Sequence, residues 1–180
     1  LYDGSGQAPI IGDVAVAGDR IVALGNVSGK GTEEIDATGM AVSPGFINML
    51  SWATESLVVD GRGMSDIKQG VTLEVFGEGW SMGPLNTEMK AEQADRQGDF
   101  NYDVNWTSLG DYLTYLETKG VSPNVASFVG ATTVRIHELG EDDVDPTPEQ
   151  QLRMDALVRE AMKEGAMGVG SSMIYAPATY

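Results

Sequence analysis

Cysteine is absent from this chain, and histidine occurs once, as His137. The first absence excludes disulfides, thiolate catalysis and cysteine-ligated zinc, while leaving the redox compartment open, since oxidising and reducing environments both host cysteine-free proteins. The second confines imidazole chemistry to one side chain. Cations are scarce as well: 11 Lys and Arg stand against 27 Asp and Glu, a formal net charge of -16. A surface so acidic repels phosphate backbones and anionic headgroups, so no nucleic acid and no membrane is expected as a partner, and a small-molecule substrate is. No apolar run approaches the roughly 20 residues of a membrane-crossing helix. The chain begins at Leu1 without a methionine, so any targeting segment is expected to lie outside it. What is present is ample for a folded core: 180 residues, 42% of them apolar.

The first forty residues have the texture of small β units. In "GDVAVAGDRIVALG" the apolar residues Val14, Val16, Ile21 and Ala23 alternate around the turn chemistry of Gly18-Asp19, which predicts a hairpin. "EEIDATGMAVSPGF" predicts another short strand before a glycine-proline break. Beyond Phe46, short apolar runs alternate with helical patterns. "GFINMLSW" and "GVTLEVFGEG" read as strands with a short helix at "SDIKQG" between them, and "NVASFVGATTVR" reads as strand and loop. Helices are predicted over Thr87 to Gln97 and over "TSLGDYLTYLETKG", where Leu109, Tyr112, Leu113 and Leu116 share a face. The clearest helix is "TPEQQLRMDALVREAMKEG": Thr147 caps it, Pro148 takes the first position and Gln150 completes a capping-box pattern. "AMGVGSSMIY" predicts a last strand running into a loop. Strands alternating with helices imply parallel βαβ units, in an open sheet or part of a barrel. About four strand candidates are too few for a closed eight-stranded barrel, and truncation is the simplest account.

Functional groups in parallel α/β folds sit at the carboxyl ends of strands. Those ends carry Asn48, Leu50, Ser51 and Trp52, then Glu78, Trp80 and Ser81 in "FGEGWSMGP", then Thr132, Thr133 and Arg135, and finally Ser171, Ser172 and Tyr175. Glu78, between two glycines, is either a solvated loop carboxylate or a metal ligand or acid-base group. Trp52 and Trp80 suit a pocket wall or the core. Arg135 suits either a clamp on a substrate carboxylate or an internal ion pair. His137 reads as a surface residue beside acids, and Ser65 with Lys68 matches a serine-lysine hydrolase spacing that is common by chance. "NWT" at Asn105 is formally a glycosylation sequon, but Thr107 or Ser108 there reads as a helix cap. The acidic "GEDDVDPTPE" lacks calcium-loop spacing and reads as a solvated connection.

In their order, "DGSG", "GDVAVAGDRIVALG", "IDATGMAVSPGFIN", "GVTLEVFGEG", "NVASFVGATTVR" and "GAMGVGSSMIYAP" resemble the amidohydrolase superfamily and, within it, the D-aminoacylase group (N-acyl-D-amino-acid deacylases). The likeness spans nearly the whole chain, and "IDATGMAVSPGFIN" is its most specific part. It implies an α/β fold: residues 1-43 as part of a small β-sandwich, and residues 44-180 as the first strands and helices of a (β/α)8 barrel, both completed by a longer parent chain or a partner segment. It also implies a bacterial-type enzyme, cytoplasmic or periplasmic, in which a metal-bound hydroxide attacks an amide carbonyl; a metal lowers the pKa of such a water from about 15.7 to about 7.

Against that family pattern this sequence departs at three places. The histidine pair that follows "PGFI" falls on Leu50 and Trp52, neither of which ligates a metal. The cysteine ligand falls near Glu78 or Gly79, and a histidine of a "VGHGT"-like stretch is replaced by Ala131. Two accounts follow: a hydrolase with a single zinc held by Glu78 and by residues outside this chain, or a relative that binds small molecules without hydrolysing them. The glycines, acid and polar groups kept in "FGEGWSMGP" favour the first, with Ser51, Trp52, Trp80, Arg135 and Tyr175 expected around the substrate. The piece alone is expected to be inactive. An autonomous flavodoxin-like domain is disfavoured, because "APATY" supplies no closing helix.

Overall fold

A computed structural model describes residues 1–179 and divides the chain into two compact units, Leu1–Gly45 and Phe46–Tyr180. In the first unit, strands β1 (Asp13–Ala17) and β2 (Arg20–Gly25) form the antiparallel hairpin that the alternation predicts, with Gly18 at φ +61° in the turn. No residue of this unit is buried, and Val16, Ile21, Val22 and Leu24 all stand exposed, so a two-stranded ribbon leaves its apolar side chains open. The strand predicted over residues 33–46 does not form. Ala37 and Met40 instead close a turn, and Val42 meets the chain start through the Tyr2 amide at 2.8 Å.

The second unit is α/β. Parallel strands β3 (Phe46–Asn48), β4 (Val71–Phe76) and β5 (Asn124–Ser127) make one three-stranded sheet with β4 central. The chain then passes from one partner to another. Phe128 still donates to the Phe76 carbonyl at 2.9 Å, whereas Val129 donates to Gly168 at 3.0 Å, so β6 (Val129–Gly130) pairs in parallel with β7 (Val169–Gly170). Helices α1 (Thr54–Val59) and α2 (Met64–Ile67) follow β3, and α3 (Thr87–Arg96) and α4 (Leu109–Lys119) follow β4. Helices α5 (Ala131–Leu139) and α6 (Pro148–Lys163) lie between β6 and β7. Among the described residues, no helix is long and apolar enough to cross a membrane.

Capping settles where the helices begin. Ser108 and Thr147 both form complete capping boxes, with Asp111 and Gln150 as the reciprocal partners, and Asn86 caps α3 through the Met89 amide. Inside, α4 presents Leu109, Tyr112 and Leu116 to Phe76 of β4 and to Leu57 and Val58 of α1. Trp106 packs at their centre. Its ring lies 5.3 Å from Tyr112 and 5.1 Å from Tyr115, both tilted, and stacks on Tyr102 at 6.1 Å. The buried Tyr112 phenol donates to the Thr54 carbonyl at 2.9 Å, tying α4 to α1.

Three local expectations give way to tertiary context. The stretch "ATTVR", read as strand and loop, is helical, because the first amides of α5 find a carbonyl partner in the loop after β4. Helix α1 forms where no helix was anticipated, since Leu57 and Val58 become buried there. His137 is half-buried rather than superficial, and its Nδ1 is buried with no hydrogen-bond partner. Burial depresses its pKa below 6.5, against a small opposing pull from Glu138.

Two outcomes are expected. Leu116→Ala removes a side chain that is 1% exposed and costs about 3 kcal/mol of folding free energy in urea denaturation; a loss under about 1 kcal/mol would contradict this packing. Because the folded pKa of His137 is depressed, its contribution is present above about pH 6.5 and is lost as pH falls below it. His137→Gln is therefore expected to flatten the acid side of the stability profile relative to wild type, and an unchanged slope would contradict the assignment.

Candidate active site

A cavity of about 200 Å³ opens at the carboxyl ends of β3 and β4. Its floor begins with Ser51, whose amide donates to the Val75 carbonyl at 3.0 Å and so extends the β3–β4 pairing past the last strand residue. The Ser51 hydroxyl accepts from the Ala53 amide at 3.2 Å and turns the chain into α1. That turn puts Trp52, Thr54 and Glu55 on the cavity wall. Glu78, Trp80 and Ser81 come from the loop after β4, Thr133 and Ile136 from α5.

The loop after β4 is held from several sides. Its Gly79 carbonyl accepts from the Thr132 amide at 3.0 Å and from the Thr133 amide at 3.4 Å, so it serves as the partner for the first turn of α5. Ser81 donates its amide to the Thr133 hydroxyl at 2.8 Å, and its own hydroxyl accepts from the Gly130 amide at 2.9 Å. The backbones approach so closely that a Cβ on Gly130 would collide with the Gly79 carbonyl, which is why the strand end before α5 is glycine.

A second set of lining groups comes from α3. Met89, Glu92, Gln93 and Arg96 recur at helical spacing along its inner face. Arg96 is the cation on this wall, 3.6 Å from Glu92 and 3.9 Å from Glu141, with its side chain 64% exposed. Glu55 is steered by a relay: the Tyr102 phenol donates to Glu55 Oε1 at 2.9 Å and accepts from Gln93 Nε2 at 3.1 Å. Burial, opposed by the Gln93 hydrogen bond and reinforced by Glu55, pushes the Tyr102 pKa up to about 12, so the phenol remains a donor throughout the neutral range.

The structure thus gathers Ser51, Trp52, Glu78 and Trp80 of the sequence-derived candidates around one cavity. Arg135 and Tyr175 are not among its lining residues. Arg135 lies on α5 instead of a strand-end loop and donates to the carbonyls of Asp142 and Val144 at 3.0 and 2.9 Å, and Tyr175 is exposed in turns after β7. Glu55 and Arg96 were missed by reading strand ends alone. The signal for Arg96 was available in the spacing of residues 89, 92, 93 and 96; Glu55 had none short of the buried Tyr102 that orients it. Leu50, at 52% exposure, offers no donor atom, and among the described residues no three His, Cys, Asp or Glu side chains come together to hold a metal.

No family model matches the sequence. Individual proteins do. An N-acyl-D-aspartate deacylase of Alcaligenes xylosoxydans xylosoxydans is 33% identical over 99% of this chain, which covers 36% of that protein. D-aminoacylase, described as defining a novel subset of amidohydrolases, is 30% identical with a TM-score of 0.80, over 96% of this chain and 37% of its own. The N-acyl-D-glutamate deacylase of Bordetella bronchiseptica, solved with zinc and a phosphonate mimic of the tetrahedral intermediate, is 26% identical with a TM-score of 0.80, over 98% and 37%. The class that fold and sequence together define is the amidohydrolase. Within it, the chain belongs with the D-aminoacylase group and matches the amino-terminal part of those enzymes, spanning little more than a third of their length.

The Tyr102 assignment is checked by alkaline titration at the tyrosinate absorbance. Tyr102→Phe is expected to remove a component that ionises near pH 12, well above the ordinary tyrosine value of about 10; loss of a component near 10 would contradict the buried relay.

Proposed function

We propose that the protein to which this chain belongs hydrolyses the amide bond of an N-acyl amino acid, of D configuration as in its relatives or a related small amide, with one zinc whose ligand from this part is Glu78. The observation that carries the reading is the placement of Glu78: a carboxylate at the carboxyl end of β4, on the wall of a cavity that also holds Ser51, Trp52 and Trp80. A strand-end carboxylate suits one oxygen ligand of a zinc site, which takes three protein ligands when catalytic. The remaining ligands come from residues outside this chain. When bound, such a metal polarises the amide carbonyl and acidifies water.

The chain's own residues supply the surroundings. Trp52 and Trp80 offer apolar faces to the acyl group or side chain, and Met82, Leu85 and Ile136 extend that surface. Arg96, not Arg135, is the cation positioned to meet a substrate carboxylate, because Arg135 is committed to the loop carbonyls of Asp142 and Val144. Glu55, fixed by Tyr102, accepts a hydrogen bond from a substrate N–H. The metal-bearing part of the parent enzyme, its other barrel strands and the completed sandwich belong to the same proposal. Because the relatives described above are deacylases, a barrel that binds without hydrolysing is the less favoured reading.

Assay of the full-length protein against a panel of N-acyl-D-amino acids tests this. Glu78→Ala is expected to lower kcat at least a hundredfold, the scale of losing a group that acts in the transition state; full activity in that variant would overturn the ligand assignment. Arg96→Met is expected to raise KM about tenfold for substrates bearing a free carboxylate, the loss of one exposed charge-assisted contact, with kcat little changed. An unaltered KM would place the carboxylate elsewhere.

A further inference from the structure

We infer that Thr133 is the positioning residue for Glu78, a role that rests on reading Glu78 as the metal ligand. Glu78 has no rigidity of its own. It stands between Gly77 at φ +93° and Gly79 at φ +109°, and two adjacent glycines leave the backbone on either side free to rotate. Whatever holds the carboxylate in one place must act from outside the loop.

Thr133 is placed to do that. It is wholly buried in the first turn of α5, and its hydroxyl uses both directions on a single loop residue: it accepts from the Ser81 amide at 2.8 Å and donates to the Ser81 carbonyl at 3.3 Å. The Thr132 and Thr133 amides grip the Gly79 carbonyl. Ser81 adds a second bridge, accepting from the Gly130 amide at 2.9 Å and donating to the Gly83 carbonyl at 2.6 Å. The residue after Glu78 and the residue three beyond it are thereby fixed to the start of one helix. A β-branched side chain in a helix has few rotamers, so the threonine hydroxyl is itself pinned. No other side chain bonds the Ser81 backbone among the hydrogen bonds of the described residues.

The consequence is a separation of roles. Glu78 meets the metal, and Thr133 fixes where Glu78 stands, in the way that outer groups orient metal ligands and commonly change affinity 10- to 100-fold when lost. Valine has the shape of threonine without the hydroxyl, and serine keeps the hydroxyl without the methyl, so the pair isolates the hydrogen bond from the packing.

The test uses the full-length protein with Thr133→Val, Thr133→Ser and Glu78→Ala, measuring zinc affinity by competition with a chromophoric chelator, together with kcat, KM and Tm. Thr133→Val is expected to bind zinc about 10- to 100-fold more weakly, with KM near wild type and kcat recovered by excess zinc, a recovery that general structural damage would not show. Thr133→Ser is expected to stay within about threefold of wild type, since the hydroxyl that orients the ligand is kept. Wild-type zinc affinity in Thr133→Val, alongside loss in Glu78→Ala, would overturn the positioning role and leave the ligand reading standing. Wild-type affinity in Glu78→Ala would overturn the ligand reading and the positioning role with it. Should Thr133→Val fail to fold, Ser81→Ala cuts the bridge to Gly130 and Gly83 and carries the same expectation and the same contradiction.

Discussion

The hydrogen bonds between the loop after β4 and the first turn of α5 hold together everything functional in this chain. The Gly79 carbonyl completes the helix start through Thr132 and Thr133, and Ser81 closes the junction from its other side. Without a helix there, the β-branched run Thr132, Thr133, Val134 would favour a strand. With it, those side chains are buried and Ile136 turns toward the cavity. One junction therefore sets the direction of α5, the path of the loop and the wall on which Glu78 stands.

Around that junction the core has a conventional cause. Helix α4 packs its apolar stripe on β4 and α1, and Trp106 fills the centre beside three tyrosines. Of these rings, Tyr102 alone reaches the cavity chemistry, through Glu55. Folding energy and site geometry thus meet in an aromatic cluster: the burial that raises the Tyr102 pKa also keeps it a donor to Glu55. The hairpin of residues 13–25 stands apart from this logic, with exposed apolar residues and no buried one.

Much of the fold was legible in the sequence for local reasons. Capping boxes at Ser108 and Thr147 announce two helices, and alternation around Gly18-Asp19 announces the hairpin. Ser51, Trp52, Glu78 and Trp80 could be assigned to one cavity because strand ends converge in any parallel α/β unit. What was hidden depends on distant partners. Helix α5 needs the Gly79 carbonyl, some fifty residues earlier, and Arg135 turns from clamp to brace because Asp142 and Val144 fold back onto it. Arg96 entered the site through a helix that periodicity located but strand-end reasoning ignored.

The account comes down to whether Glu78 holds a metal although Leu50 and Trp52 cannot. Anomalous diffraction at the zinc edge, on crystals of the full-length protein grown without chelator or added metal, addresses it directly. The expected result is a peak about 2.0–2.2 Å from a Glu78 carboxylate oxygen, the zinc–carboxylate distance. A zinc peak bound wholly by other residues, or no peak in a protein that still hydrolyses its substrate, would contradict it.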